Sequence, residues 1–481
     1  MINETSRKNV LSNLVWRFLE RSGSQVIQFV VSIVLAQLLT PEDYGIIGLI
    51  TVFISIAQVF INTGFSQSLI QKKDADDLDF SSVFYSGIIF SLIIYGILYF
   101  TAPVIAKFYN NLLLTNIVRI LGITVIIGSV NCVQTAYVQR TMQFKRFFWS
   151  TLIGTIASAI IGIAMAFKGF GVWALVWQQI INTFVNTVVL WFTVKWRPSL
   201  VFSFKRLKSL FSFGWKLLFS SLIDTLYQNI YSLVIGKKYS SADLGYYNKG
   251  KQFSFLIINN INSSIDSVLF PAMSNLQDNR ESVKALTRRA IKTSTFVIFP
   301  AMAGLAAVAT PLVKLLLTDK WLPCVPFLQF CCFTYAFWPI HTANLQAIKA
   351  MGRSDIFLKL EIIKKVIGII TLIITVPLGL IPMMIGRCVT TLTGSFINAF
   401  PNRKLLNYSY FEQIKDILPS FVISLIMAGV VLILGNLKIN LFFVLIIQVL
   451  VGAATYVIIS KIFKIEAFEY ILNMLKKFKK K

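Results

Sequence analysis

The chain has 481 residues, 56% of them apolar and only 14% charged, with 41 Phe. No ordinary soluble domain buries so many apolar side chains, and long runs almost free of ionised groups identify a polytopic membrane protein. The formal charge of +26, from 46 Lys and Arg against 20 acids, would suit a nucleic-acid binder, but its placement along the chain assigns it to membrane topology instead.

Apolar stretches of about 20 residues cross the roughly 30 Å hydrocarbon core as helices. Cutting the sequence where charge, Pro, Gly and Asn interrupt such stretches gives fourteen predicted spans. The first seven are 16–38, 46–69, 82–102, 117–137, 149–167, 172–194 and 210–235. The second seven are 252–270, 293–310, 326–348, 357–376, 383–400, 417–434 and 439–460. Pro271, Pro300, Pro311, Pro323 and Pro339 fall in or beside the eighth to tenth. The first span is too long for a signal-peptide core and lacks a small-residue cleavage pattern after it, so it is expected to stay in the mature chain.

Lys and Arg are retained in cytoplasmic loops during insertion. With both termini inside, 34 of the 46 fall on the cytoplasmic side, nine in outer loops, and Arg119, Lys216 and Arg387 within spans. That bias sets the orientation and gives the inner surface a charge that attracts anionic lipid headgroups. No connection is long enough to form a separate soluble domain, so the function lies within the membrane.

Spans one and seven are weakly self-similar. Trp16-Arg17 opens one and Trp215-Lys216 the other. Acidic turns follow, Pro41-Glu42-Asp43-Tyr44-Gly45 and Ser241-Ala242-Asp243-Leu244-Gly245, at an offset of about 200. Six helices separate the copies, an even number, so the repeats are parallel. The expected fold is all-α: an N-lobe over 1–200, a C-lobe over 201–405, and two further helices with a basic tail over 406–481.

Polar groups at membrane depth are costly and usually face a bundle interior or water. At about 100° per residue, Arg17, Glu20, Arg21, Ser24, Gln25, Gln28 and Ser32 share one face of the first span. Lys216, Ser220, Asp224, Tyr227, Gln228 and Tyr231 share one face of the seventh. The second span adds Gln58 and Asn62, and the eighth adds Asn259, Asn262, Ser263 and Asp266. These four helices are candidates to line one hydrated cavity. Arg17, Arg21, Gln25, Gln28, Asn62, Lys216, Gln228, Asn259 and Arg387 are its candidate substrate contacts, and Glu20, Asp224 and Asp266 its candidate coupling sites. Blander roles stand beside these: Arg17, Arg21 and Arg387 as snorkelling topology signals, the amides as helix-to-helix glue, Glu20 as a local ion-pair partner. The cations slightly outnumber the acids, which suits an anionic headgroup whose phosphate oxygens Arg grips bidentately. The single histidine, His341, reads as a packing residue. Cys132, Cys324, Cys331, Cys332 and Cys388 lack metal-ligand or CxxC spacing, so no metal, cofactor or catalytic residue is expected.

The stretch Trp16-Arg17-Phe18-Leu19-Glu20-Arg21-Ser22-Gly23, then Gln25, Phe29 and Ala36 to Gly45, resembles the N-terminal signature of polysaccharide exporters. These belong to the superfamily of multidrug, oligosaccharidyl-lipid and polysaccharide exporters, and the colanic and teichuronic acid exporter branch is the most similar. Gly64-Phe65-Ser66-Gln67-Ser68-Leu69-Ile70-Gln71 and Gln139-Arg140 also resemble that branch. The resemblance covers about residues 10–400 and implies twelve core helices in two lobes, often with two more. It further implies a monomer of the bacterial inner membrane that moves an undecaprenyl-pyrophosphate-linked oligosaccharide outward by alternating access, beside other glycan-assembly proteins. A cation-coupled multidrug antiporter, a membrane-embedded polysaccharide polymerase or ligase, and a scaffold are the rival functions.

Overall fold

The computed structural model describes Trp16, residues 23–72 and residues 74–479, and among these it is helical with no strand. The helices are α1 (Gly23–Leu38), α2 (Pro41–Asn62), α3 (Gly64–Gln71), α4 (Asp77–Phe108), α5 (Leu113–Leu121), α6 (Ile123–Arg140), α7 (Phe144–Phe167), α8 (Val172–Thr193), α9 (Phe204–Lys238) and α10 (Ser241–Ser274). They continue with α11 (Arg280–Ala307), α12 (Ala309–Leu317), α13 (Val325–Ala336), α14 (Trp338–Ala350), α15 (Ser354–Thr375), α16 (Leu380–Ala399), α17 (Asn402–Leu405), α18 (Tyr410–Leu434), α19 (Leu441–Ile462) and α20 (Glu466–Lys479).

Ten helical segments among the described residues are long and apolar enough to cross a membrane, which makes this a multi-pass membrane protein. The other four of the fourteen predicted spans fall on α1, α9, α10 and α15. Only 16 residues of α1, an apolar helix, are described. The other three have the length, 35, 34 and 22 residues, but polar residues lower the hydropathy of α9 and α10, and α15 carries too many charges. In α15 the charges are Asp355, Lys359, Glu361, Lys364 and Lys365, all in its first half.

Two compact units divide the chain, Met1–Gly245 and Tyr246–Lys481. A repeat of helix starts runs through both. Starts recur at Pro41 and Ser241, Asp77 and Arg280, Phe144 and Ser354, Val172 and Leu380, at offsets of 200 to 210. The fourth span of each copy is broken, α5 from α6 at Gly122 and α13 from α14 at Phe337. Before α7, Met142 takes φ 54° and the Gln143 amide bonds the Val138 carbonyl. Before α15, Gly352 takes φ 71° and the Arg353 amide bonds the Ile348 carbonyl. Both are the same left-handed helix closure.

The acidic turns are capping boxes. Thr40 Oγ1 accepts from the Asp43 amide at 3.2 Å while the Thr40 amide donates to Asp43 at 3.0 Å. Ser240 and Asp243 repeat this at 3.0 and 3.1 Å. The two turns, both in the first unit, also touch. A Cβ on Gly45 would stand 1.7 Å from the Ser241 carbonyl oxygen, and one on Gly245 would stand 1.9 Å from that of Pro41.

At the foot of α4 the first unit buries a carboxylate. Asp79 is fully buried, with Lys72 Nζ at 2.5 Å and Arg206 Nη1 at 3.5 Å. The Asp79 amide, with Arg206 and Lys72 nearby, holds the Asp76 carboxyl below the usual carboxylate range. The connection from α8 to α9 is strapped down here: Trp196 Nε1 donates to Asp77 at 3.2 Å and its ring packs 5.8 Å from Phe80, while Ser199 and Ser203 amides donate to Ser81 and Ser82 at 3.0 Å.

In the second unit α18 and α19 pack on α11 through Phe296, Met427, Val431 and Tyr456, whose hydroxyl donates to the Phe296 carbonyl at 2.8 Å. A fully buried carboxamide knot ties α14, α17 and α18. Asn344 and Gln413 exchange hydrogen bonds at 2.8 and 3.0 Å, and Asn402 Nδ2 donates to Asn344 Oδ1 at 2.7 Å. Each orphaned buried polar group costs about 1–3 kcal/mol. Asn344→Leu is therefore expected to destabilise by about 3 kcal/mol or more, read as a lower Tm of the detergent-purified chain. Adding Gln413→Leu should recover part of the loss; an unchanged Tm for Asn344→Leu would show the knot to be energetically idle.

Candidate substrate-binding residues

Arg17, Glu20 and Arg21 lie outside the described residues. On α1, Ser24 is buried, Gln25 half-buried and Gln28 exposed. On α9, Lys216, Ser220, Asp224 and Gln228 are all exposed, four residues apart, and so follow one slowly drifting stripe. The same helix exposes Trp215, Phe219, Ile223 and Leu226. One helix thus carries an apolar stripe suited to lipid and, beside it, a polar stripe that hydrocarbon would penalise.

Asn62 belongs to a cavity of about 430 Å³ inside the first unit. The end of α2 contributes Gln58 and Asn62, α3 Ser66 and Gln67, α6 Asn131, Thr135 and Gln139, and α8 Asn182 and Asn186. Among the described residues, no Asp, Glu, Lys or Arg lines it. Asn131 Oδ1 is buried without a hydrogen-bond partner. Helix breaks and small residues build this space: Thr63 separates α2 from α3, and Gly154 of α7 lets α8 approach beside Asn182 and Asn186. Sequence reading expects Gln58 and Asn62 in a cavity shared with the first, seventh and eighth spans; here they share one with residues of α3, α6 and α8, and sequence reading does not single out Asn131, Gln139, Asn182 or Asn186. The available signal was spacing: 131, 135 and 139 recur every four residues on α6, as do 182 and 186 on α8.

In the second unit the corresponding seam is bonded shut. Thr342 Oγ1 donates to Asn262 Oδ1 at 2.8 Å, and Gln346 Nε2 donates to Asp266. Asn259 is half-buried and Asp266 exposed. Arg387 is half-buried on α16; its Nη1 donates to the Tyr247 hydroxyl at 2.6 Å, and its guanidinium lies 5.8 Å from the Tyr335 ring. Tyr335 in turn stacks on Trp338 at 5.3 Å. Aromatic side chains of its own unit therefore hold Arg387. His341 pairs its Nδ1 with Asn398 Nδ2 at 2.9 Å. Cys132, Cys324, Cys331 and Cys332 are buried as free thiols, and Cys388 is a half-buried one.

A family model described as polysaccharide biosynthesis protein matches residues 34–326. Among curated relatives, the teichuronic acid biosynthesis protein TuaB of Bacillus subtilis (strain 168) is 26% identical over 352 residues, 73% of each chain. The lipopolysaccharide biosynthesis protein WzxC of Escherichia coli (strain K12) is 23% identical over 402 residues, 82% of this chain and 80% of that one. Among solved structures, the lipid II flippase MurJ in an inward closed conformation superposes with a TM-score of 0.74 at 18% identity, covering 94% of this chain and 98% of that one. An inward-facing multidrug resistance transporter of the MATE family gives 0.61 at 18% identity, covering 80% and 96%. At such identities the two structures speak to the fold alone, an all-helical polytopic architecture.

Proposed function

We propose that this chain, which belongs to the polysaccharide biosynthesis protein family, is a flippase. Its substrate is an undecaprenyl-pyrophosphate-linked oligosaccharide, moved from the cytoplasmic to the outer leaflet by alternating access of its two repeats, without covalent chemistry. The observation that carries the proposal is α9, whose exposed polar stripe of Lys216, Ser220, Asp224 and Gln228 runs beside an exposed apolar one. Such a helix suits a cargo with a charged, hydrated head and a hydrocarbon tail. Relatives named for teichuronic acid and lipopolysaccharide biosynthesis support a glycan cargo.

The lobes over 1–200 and 201–405 are the proposed moving bodies, with α9 as the mobile element, since it belongs to the second copy of the repeat while packing on α2 and α3 here. Arg17, Arg21, Lys216 and Arg387 hold the pyrophosphate, and Gln25, Gln28, Asn62, Gln228 and Asn259 supply neutral polar contacts. Glu20, Asp224 or Asp266 couples transport to a proton or cation, or the membrane potential moves the net charge directly. An apolar cleft of about 520 Å³ between α11, α18 and α19, lined by Pro300, Gly304, Met427, Val431 and Gly452, offers the prenyl tail a surface. The protein works as a monomer in the bacterial inner membrane with both termini cytoplasmic. There its basic inner face meets anionic lipids and neighbouring glycan-assembly proteins.

Reconstitution separates this function from its rivals. Vesicles holding the chain receive either a lipid-pyrophosphate-linked oligosaccharide or a fluorescent organic cation, under a pH gradient and a potential. Movement of the lipid alone is expected. Movement of the cation alone would establish the antiporter, and elongation or transfer of glycan by the purified chain would establish an enzyme.

A further inference from the structure

The cavity inside the first unit is unusual in its chemistry. Among the described residues, every polar group on its wall is neutral, most are carboxamides that both donate and accept, and four helices contribute them. Among the described residues, Gln58, Asn62, Gln67, Asn131, Gln139 and Asn186 make no side-chain hydrogen bond. Amides that merely glue helices together would be bonded to one another across the seam. The second copy of the repeat shows what that looks like: Asn262, which stands 200 residues after Asn62, accepts from Thr342, and Asp266 accepts from Gln346. The same seam is sealed in one unit and open in the other. A buried, unpartnered Asn131 Oδ1 within the open one has its desolvation cost unmet unless a ligand or water supplies a donor.

We infer that this cavity is a glycan subsite, which binds an uncharged sugar ring of the cargo through its hydroxyl groups. The inference rests on the flippase reading and adds to it where the sugar is recognised and which sugars fit. A sugar hydroxyl donates and accepts, as a carboxamide does, so an array of carboxamides matches a polyhydroxylated ring without any formal charge. The volume of about 430 Å³ falls within the range of small-molecule sites and holds about one or two rings. The described residues of the wall include no Lys or Arg to meet the carboxylate of an acidic sugar, so the ring lodged there is a neutral one.

Equilibrium binding to the full chain in nanodiscs tests this with two probes, a prenyl pyrophosphate bearing a neutral disaccharide and the same prenyl pyrophosphate without sugar. Wild type is expected to bind the glycosylated probe at least tenfold more tightly. Asn131→Leu and Asn186→Leu, close in size to the amides they replace, are expected to abolish most of that difference; Asn131→Thr, which keeps a hydroxyl, should retain part of it. Equal binding of both probes by wild type would overturn the subsite and leave the flippase standing. Equal weakening of both probes in the variants would also overturn it, by showing the amides to be structural. Binding of neither probe would sink the flippase reading itself.

Discussion

Gly45→Val and Gly245→Val are each expected to leave little correctly folded chain in the membrane. The obstruction is backbone: a Cβ at 45 falls 1.7 Å from the Ser241 carbonyl oxygen and one at 245 falls 1.9 Å from that of Pro41. A flexible side chain could swing aside, but a carbonyl in the first turn of a capped helix moves only with its helix. Overpacking in a dense interior already costs about 1–3 kcal/mol, and two capping boxes worth about 1 kcal/mol each are disturbed with it. Gly87→Val is the control, since nothing lies within 4 Å of the added atom. Monodisperse yield after detergent extraction reads the effect. Wild-type yield and Tm for Gly45→Val would show that the two turns do not need their close approach.

Arg17→Ala and Lys216→Ala are each expected to slow lipid-linked oligosaccharide transport about tenfold to a hundredfold. A charge-assisted hydrogen bond is worth about 1.5–3 kcal/mol, and a pyrophosphate offers acceptors that carboxamides serve poorly. Arg17→Lys keeps the charge but loses the bidentate grip, so it should fall between Arg17→Ala and wild type. The initial rate of flipping in vesicles is the readout. Unchanged rates in both alanine variants would remove the cationic headgroup site and favour cargo of the opposite charge.

Much of the architecture is legible in the sequence because membrane insertion is a hydropathy problem. Ten of the fourteen predicted spans coincide with long apolar helices. The boundaries are less legible, for a physical reason. Hydropathy reports where hydrocarbon ends, whereas a helix ends at its cap. The span expected at 82–102 is a helix from Asp77 to Phe108, started by an Asp76 capping box, and the one expected at 210–235 starts at Phe204 behind Ser203. The repeat was visible in two dipeptides and two acidic turns because those turns do structural work as reciprocal caps. Its extension through the broken fourth spans and the left-handed closures at Met142 and Gly352 was hidden, since Met and Gly share no sequence signal.

The amide cavity was half visible. Gln58 and Asn62 fall on one predicted face, but Asn131 and Asn186 come from spans whose average composition is ordinary, and only folding brings four helices together around them. The converse holds for Asn262 and Asp266, which pattern alone would assign to an open cavity and which hydrogen bonds instead tie to α14.

Leaflet-to-leaflet translocation in proteoliposomes tests the central claim most directly. A lipid-pyrophosphate-linked oligosaccharide is placed in one leaflet, a glycan-cleaving enzyme is added on the opposite side, and cleavage is followed with time. Wild type is expected to expose the glycan far faster than protein-free vesicles, and Arg17→Ala and Lys216→Ala to lag behind it. No exposure by wild type, across several glycans and with both a pH gradient and a potential applied, would contradict a flippase.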